Sequence, residues 1–275
     1  MSLLQIDHDL LAAGFGRRAF TVRHTLTDHP LLTVDAVAAL ADALPLDQVE
    51  HNYGDLPAIL ADGAAPRAEL APGEIARGIE HNGCWMVLKN IESHSDYCTL
   101  LDATLDEVAP HVPRAEGGMG RREGFVFLSA PASVTPVHVD PEHNFLLQVR
   151  GTKTMNVGSL GGSLDAQREL ERYYSGGHRN LAALPGTAAA FPLGPGDGVY
   201  VPLHAPHWVT NGPAVSVSLS ITFYTRATDR AARVHVANAA LRRLHVTPRP
   251  PGASPLADRT KEALTRSWRL LRRVR

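Results

Sequence analysis

The stretch TPVHVDPEHNFLLQVRGTK, residues 135–153, holds residue types that an ordinary strand does without. His138 and Asp140 stand two apart, and Lys153 follows beyond a Gly-Thr step. In an extended strand, residues i and i+2 point to the same face, so both side chains can reach one ion. A third ligand has to come from a later segment. GDGVYVPLHAPHWVTNG, 196–212, offers His204 and His207, a strand pattern that ends in turn residues.

Two ligands alone prove little. In a chain with 14 histidines, about one His-x-Asp step arises by chance, and a second one stands at His94-Ser95-Asp96. That pair sits at the start of an amphipathic pattern, where helical neighbours i and i+2 diverge by about 200°. It reads as a helix cap, Ser95 or Asp96, beside a surface histidine. One carboxylate and two histidines leave coordination positions open, the arrangement of non-heme Fe(II) oxygenases. A closed zinc site takes four protein ligands, usually with cysteine, and neither Cys84 nor Cys98 lies near this segment. If Gly151-Thr152 is a two-residue hairpin loop, then Asn144, Leu146, Gln148 and Lys153 share one face. A lysine there can anchor a carboxylate beside the metal. From parity alone, a solvated lysine at a turn has equal weight.

The elements that must hold these residues follow from period and punctuation. EGFVFLSAP, SVTPVHVD, NFLLQVRG, KTMNVGS, GVYVPL, HWVTNG and VSVSLSITFYT are short β-branched or aromatic runs separated by Gly, Pro and Asn. They suggest an antiparallel barrel or jelly roll from 123 to 225. SLDAQRELERYY interrupts it as a helix within an insertion, 159–190, followed by a Gly/Ala/Pro-rich loop. Upstream, 1–122 reads as a mixed helix and strand flank that packs on the core: helices over 34–44, 71–79 and 95–112, and a strand over 84–91. Downstream, 226–275 reads as two helices joined by TPRPPGASP.

The bulk numbers are those of an ordinary soluble domain: 275 residues, 44% hydrophobic, 20% charged, net charge −1. The charge argues against a nucleic-acid-coating surface. The N-terminus has no signal-peptide layout and no apolar run approaches the roughly 18 residues of a membrane span. A reduced, cytoplasmic protein is expected, without a disulfide framework.

Taken together, TPVHVDPEHNFLLQVRGTK and PGDGVYVPLHAPHW resemble the Jumonji C and cupin-like Fe(II)- and 2-oxoglutarate-dependent oxygenases. The pattern is closest to the asparaginyl hydroxylase that acts on hypoxia-inducible factor, and the flanks look more loosely like those of bacterial cupin-like members. The resemblance spans about residues 123–225 and implies a mainly β fold, a double-stranded β-helix with flanking helices. By position it implies that His138, Asp140 and His207 are the catalytic iron ligands. Thr135 and Lys153 would hold the distal carboxylate of 2-oxoglutarate, with Asn144 lining the same pocket. Thr222 falls where the hydroxylase has another co-substrate-pocket residue, an asparagine, and Leu146 replaces an aromatic. His204 is a candidate for support behind the ligands, and Trp208 for packing against the barrel.

The activity implied is oxidation of a C–H bond in a protein, peptide or amino-acid-like substrate. O₂ and 2-oxoglutarate are consumed, and succinate and CO₂ released. Hydroxylation is the leading form and demethylation begins with the same step. A non-catalytic cupin-like metal-binding sensor or transcriptional regulator is the competing expectation, motivated by the basic C-terminus: Arg259, Lys261, Arg266, Arg269, Arg272, Arg273 and Arg275 against Glu262. A cupin isomerase or a dioxygenase without 2-oxoglutarate would leave Thr135 and Lys153 without a role. On the last helix Leu264, Trp268 and Leu271 form an apolar stripe that is expected to pack. The family resemblance implies a homodimer through the C-terminal helices, and the insertion is expected at the substrate entrance, with Arg168, Arg172, His178 and Arg179.

Overall fold

In Ser216–Thr225 the sequence SVSLSITFYT alternates hydroxyl-bearing and apolar residues, a period-2 pattern that puts the two sets on opposite faces of a strand. Both faces are buried. Val217, Leu219, Ile221 and Phe223 belong to the largest hydrophobic cluster, while Ser216, Ser218, Ser220 and Thr222 are each 2% exposed or less. The polar face therefore does not meet water. It looks into the barrel.

The structure, a computed structural model, describes residues 2–60 and 65–273, with side chains in the last helix described as far as Ser267. The strands are β1 (Leu4–Gln5), β2 (Phe20–His24), β3 (Val49–Tyr53), β4 (Cys84–Lys89), β5 (Met119–Ser129), β6 (Val134–His138), β7 (His143–Arg150), β8 (Lys153–Gly158), β9 (Ala188–Leu193), β10 (Asp197–Val201), β11 (His207–Asn211) and β12 (Ser216–Thr225). The helices are α1 (His8–Gly14), α2 (Val34–Ala43), α3 (Pro72–Arg77), α4 (Ser95–Val108), α5 (Leu164–Tyr174), α6 (Arg226–Arg243) and α7 (Pro255–Arg273).

Among the described residues the strands form two antiparallel sheets. The larger runs β1-β2-β10-β7-β12-β5-β4-β3 and the smaller β6-β11-β8-β9. Face to face they make a jelly roll. β1 to β4, all from the first 122 residues, extend the larger sheet on both sides. The main core lies between that sheet's outer face and helices α2 and α4, through Val37, Leu40, Leu101 and Leu105. A second cluster, Leu146, Met155, Val157, Val199 and Val209 among others, fills part of the space between the sheets.

The expected hairpin at Gly151-Thr152 is not one. β7 pairs with β10 and β12, whereas β8 pairs with β11 and β9. The step is a corner that carries the chain from one sheet to the other. Gly151 makes it possible: its φ is +71°, and a Cβ there would sit 2.4 Å from the Val215 carbonyl oxygen. Asn144, Leu146 and Lys153 still meet, but across the sandwich. Gln148 turns away from them to the hydroxyls of Ser216 and Ser218.

Other expectations are corrected more locally. The end of the Gly/Ala/Pro-rich loop is strand β9, whose alanines and proline carry little β propensity and which forms an edge. The cap of α4 is His94, which makes no side-chain cap bond, and Ser95 already lies in the first turn. On α7, Leu264 is 65% exposed rather than packed. The face that meets α6 is polar: Thr265 bonds the Arg233 carbonyl, and Arg233 pairs with Glu262 at 2.8 Å. The side chains of Trp268, Leu271, Arg269, Arg272 and Arg273, and all of Arg275, lie outside the described residues. No helix among those described is long and apolar enough to cross a membrane.

Candidate metal centre

Three side chains converge at one end of the barrel. His138 ends β6, Asp140 lies in the turn just after it, and His207 opens β11. The two histidines are directly opposite in the β6–β11 ladder, so the rings face each other with centroids 4.1 Å apart. Val137 and Val139, on either side of His138, point the other way into a small apolar cluster with Leu181 and Trp208. One Oδ of Asp140 lies 3.5 Å from Nε2 of His138 and 3.3 Å from Nε2 of His207. One ligand atom from each residue fits within a 4.8 Å set, enough for all three to hold one ion.

Hydrogen bonds orient each ligand. Nδ1 of His138 faces the Pro136 carbonyl at 2.8 Å, and Nδ1 of His207 faces the Ala205 carbonyl at 2.9 Å. A carbonyl only accepts, so both Nδ1 atoms carry the proton, and both Nε2 lone pairs are left for a metal. Burial, then the neighbouring His207 and Arg179, push the His138 pKa down to about 4, which keeps its ring neutral near pH 7. Burial by itself would raise Asp140. The charge His138 carries when it is protonated and the Arg179 guanidinium outweigh it and hold the carboxylate well below its usual range. Arg179 donates to the other Oδ at 3.1 Å. The carboxylate thus offers one oxygen to the site and keeps the second occupied.

The ligands open onto a cavity of about 60 Å³ between the sheets. Phe125, Phe127, Leu146, Met155 and Val209 make its apolar wall, and Thr135, Asn144, Lys153 and Ser220 its polar one. Asn144 is fixed by the Ser220 hydroxyl, which donates to its Oδ1 at 2.7 Å. Lys153 is 6% exposed. Its ammonium has no hydrogen bond or ion pair with any described residue, and desolvation pushes its pKa down to about 7. A buried cation without a counter-charge is costly unless something else supplies one.

Residues 121–230 match the model of the JmjC domain family. Over this segment the chain is similar to JmjC domains. No curated protein matches the whole chain closely enough to count as a relative. Among solved structures, ycfD of Escherichia coli superposes with a TM-score of 0.54 at 16% identity, over 96% of this chain and 67% of that one. The structure described as the ribosomal oxygenase YcfD gives 0.52 at 16% identity, over 97% and 67%. YcfD in complex with cobalt and 2-oxoglutarate gives 0.50 at 16%, over 96% and 67%. At this identity the likeness is one of fold.

Within this segment the sequence-derived residues do not all fall in place. Thr222 does not line the cavity: its hydroxyl donates to the Glu123 carbonyl at 3.0 Å. Ser220, two residues earlier on the same face of β12, occupies the wall instead. The His204 side chain points away from the ligands. Its Nε2 lies 2.5 Å from the Tyr174 hydroxyl, burial lowers its pKa to about 3, and only its backbone N–H reaches the Asp140 carbonyl, at 3.1 Å. Trp208 packs against Val137 and Val139.

Several residues that sequence reasoning did not single out line the site. Glu142, 7% exposed, faces the cavity beside the metal ligands, with the Tyr224 hydroxyl donating to it at 3.2 Å. Burial and the Asp140 and Glu123 carboxylates push its pKa well above the usual range. Lys89 borders both this cavity and a larger outer cleft of about 600 Å³, where it pairs with Glu50. The cleft is walled by Trp85, Tyr173, His178 and Asn180, so the 159–190 insertion does stand at the opening. The insertion reaches further than that. Its segment 179–181 runs along the free edge of β6, with Val139 donating to the Arg179 carbonyl and Leu181 to the Val137 carbonyl. That pairing carries Arg179 to Asp140. The only sequence signal for Glu142 was its place two residues after Asp140, and none marked Arg179 as a partner of that carboxylate.

Proposed function

We propose that the chain is an Fe(II)- and 2-oxoglutarate-dependent oxygenase that hydroxylates a side chain of a protein or peptide and releases succinate and CO₂. The observation that carries this reading is Lys153, a buried ammonium without a counter-charge, in the same cavity as two Nε2 atoms and a carboxylate oxygen. The donor set suits Fe(II) and leaves positions for a bidentate 2-oxo acid and O₂. Lys153 lines the same cavity as the triad, and the described lining has no other free cation in its depth, which suits an acid with a second carboxylate. The cobalt and 2-oxoglutarate bound by the E. coli fold relative agree with this choice.

In this reading His138, Asp140 and His207 hold the iron, and Lys153 with the Thr135 hydroxyl binds the distal carboxylate. Asn144 and Ser220 line the co-substrate's flank. Thr222 is not carried over as a contact. When bound, iron with 2-oxoglutarate activates O₂, which is chemistry that no side chain here supplies. The chain's share is orientation and dryness. The apolar wall excludes water from the reacting end, and the Nδ1–carbonyl bonds fix the two imidazoles. The outer cleft, about 600 Å³, has room for a substrate residue with its neighbours, which favours a polypeptide over a free amino acid. Residues 123–225 carry the chemistry, and 1–122 and 226–275 support it. A homodimer through α6 and α7 is part of the proposal, with the exposed Leu264 as its apolar contact.

The test is anaerobic loading with Fe(II) and 2-oxoglutarate. A weak visible metal-to-ligand absorption band is expected, and on admitting air, slow succinate formation that Lys153→Ala suppresses. A wild-type protein that shows neither the band nor succinate defeats the proposal.

A further inference from the structure

His204 is one of the few non-glycine residues with a left-handed backbone, φ +60°. Such a conformation persists in a bulky residue only where its surroundings hold it. Here its backbone N–H donates to the Asp140 carbonyl at 3.1 Å. The side chain does the holding. Nε2 is hydrogen-bonded to the Tyr174 hydroxyl at 2.5 Å. Tyr174 in turn lies flat on His235 of α6, centroids 5.3 Å apart and planes 9° apart, and His204 meets the edge of that same ring at 5.6 Å.

Tyr174 closes α5, and α5 is itself braced. Glu171, one turn earlier, is 3% exposed and pairs with Arg242 of α6 at 2.6 Å. From the same turn Arg172 donates to the carbonyls of His178 and Asn180, at 2.7 and 3.2 Å. Those carbonyls belong to the segment that brings Arg179 to the Asp140 carboxylate. Helix α5 therefore grips Asp140 twice: through Tyr174 and His204 at its backbone, and through the 178–180 segment at its side chain.

We propose that Tyr174 and His204 are positioning residues for Asp140, their hydrogen bond holding the left-handed turn that fixes this metal ligand from behind. The inference rests on the reading that His138, Asp140 and His207 bind a metal. Neither residue touches the ion or the cavity. Their effect is on where Asp140 sits, and so on metal affinity, rather than on what the ion does.

The test is a double-mutant cycle in the full chain with cobalt(II) as the probe. Tyr174→Phe keeps the ring on His235 and removes only the hydroxyl. His204→Asn keeps an N–H and a residue type that accepts the left-handed backbone, but its side chain is shorter. Each variant is expected to bind cobalt about tenfold more weakly, the low end of what loss of a ligand's supporting partner costs. Its cobalt absorption spectrum should be altered too. The double variant should lose about the same tenfold, because both changes delete one bond. Hydrogen exchange on the metal-free protein gives a second readout. The His204 amide should exchange faster in Tyr174→Phe, while amides in the β5–β12 ladder keep their protection. If either single variant binds cobalt as wild type does, or if the two losses multiply, the inference fails. It also fails if the His204 amide stays equally protected. A wild-type protein that takes up no cobalt overturns the metal-site reading and this role with it.

Discussion

Lys153 makes the proposed co-substrate site testable through pH. Desolvation lowers its pKa to about 7, so near pH 7 the free protein holds this amine about half protonated. A carboxylate bound next to it favours the ammonium form and raises the pKa again, so binding above pH 7 takes up a proton. The sign follows: affinity is full below pH 7 and is lost as pH rises through it. From the protonated fraction alone, 2-oxoglutarate binding should weaken about fivefold between pH 7 and 8, and about tenfold for each further unit. Manganese(II) can stand in the metal site so that binding proceeds without turnover. Calorimetry in two buffers of different ionisation enthalpy then reports the proton uptake directly. Lys153→Met should weaken binding by about 2–5 kcal/mol, the range for truncating one partner of a buried charge pair, and should flatten the pH dependence. The same change should raise the melting temperature of the ligand-free protein. The folded pKa lies below the unfolded one, so the unfolded chain binds more protons between pH 7 and about 10.5, and burial of this amine costs most below pH 7. Wild-type affinity that stays constant from pH 7 to 9, or a Lys153→Met variant with the wild-type pH profile, would refute the reasoning.

Three further outcomes are expected. Arg179→Leu leaves one Asp140 oxygen without its donor and should weaken cobalt binding about tenfold, read by absorption titration, whereas His138→Ala should abolish it. Gly151→Ala places a Cβ 2.4 Å from the Val215 carbonyl oxygen at a φ of +71°. It should destabilise the fold by about 1–3 kcal/mol, seen as a lower midpoint in urea. Arg242→Ala strands the buried Glu171 carboxylate and should cost about 3–5 kcal/mol in the same assay; a loss below about 1 kcal/mol would mean that Glu171 finds another partner.

The sequence made the ligand step legible because strand geometry is local. His138 and Asp140 are two apart, and that alone puts them on one side of the chain. It also marked the strands of the barrel, whose β-branched runs are cleanly punctuated. β9 escaped because alanine and proline carry no strand signal. The Lys153 hairpin was misjudged for a different reason: a Gly-Thr step is equally compatible with a tight loop and with a corner between sheets. Only the pairing partners of β7 and β8 tell them apart. Thr222, carried over by position from the hydroxylase, lies two residues beyond the cavity wall, where Ser220 stands instead.

What the sequence by itself determined is therefore the set of chemical parts: a two-histidine, one-carboxylate donor set, a lysine within reach, and a β-rich frame. What only the tertiary structure decided is which faces and partners those parts have. The alternation in SVSLSITFYT puts hydroxyls and apolar residues on opposite faces, but only the fold shows that both are buried, because helices cover one side of the sheet and the space between the sheets lies on the other. Arg179 and Tyr174 come from an insertion that the sequence tied only to the substrate entrance, not to Asp140. They act on Asp140 through contacts between residues about 30 to 40 positions apart, and such contacts exist only once the chain has folded.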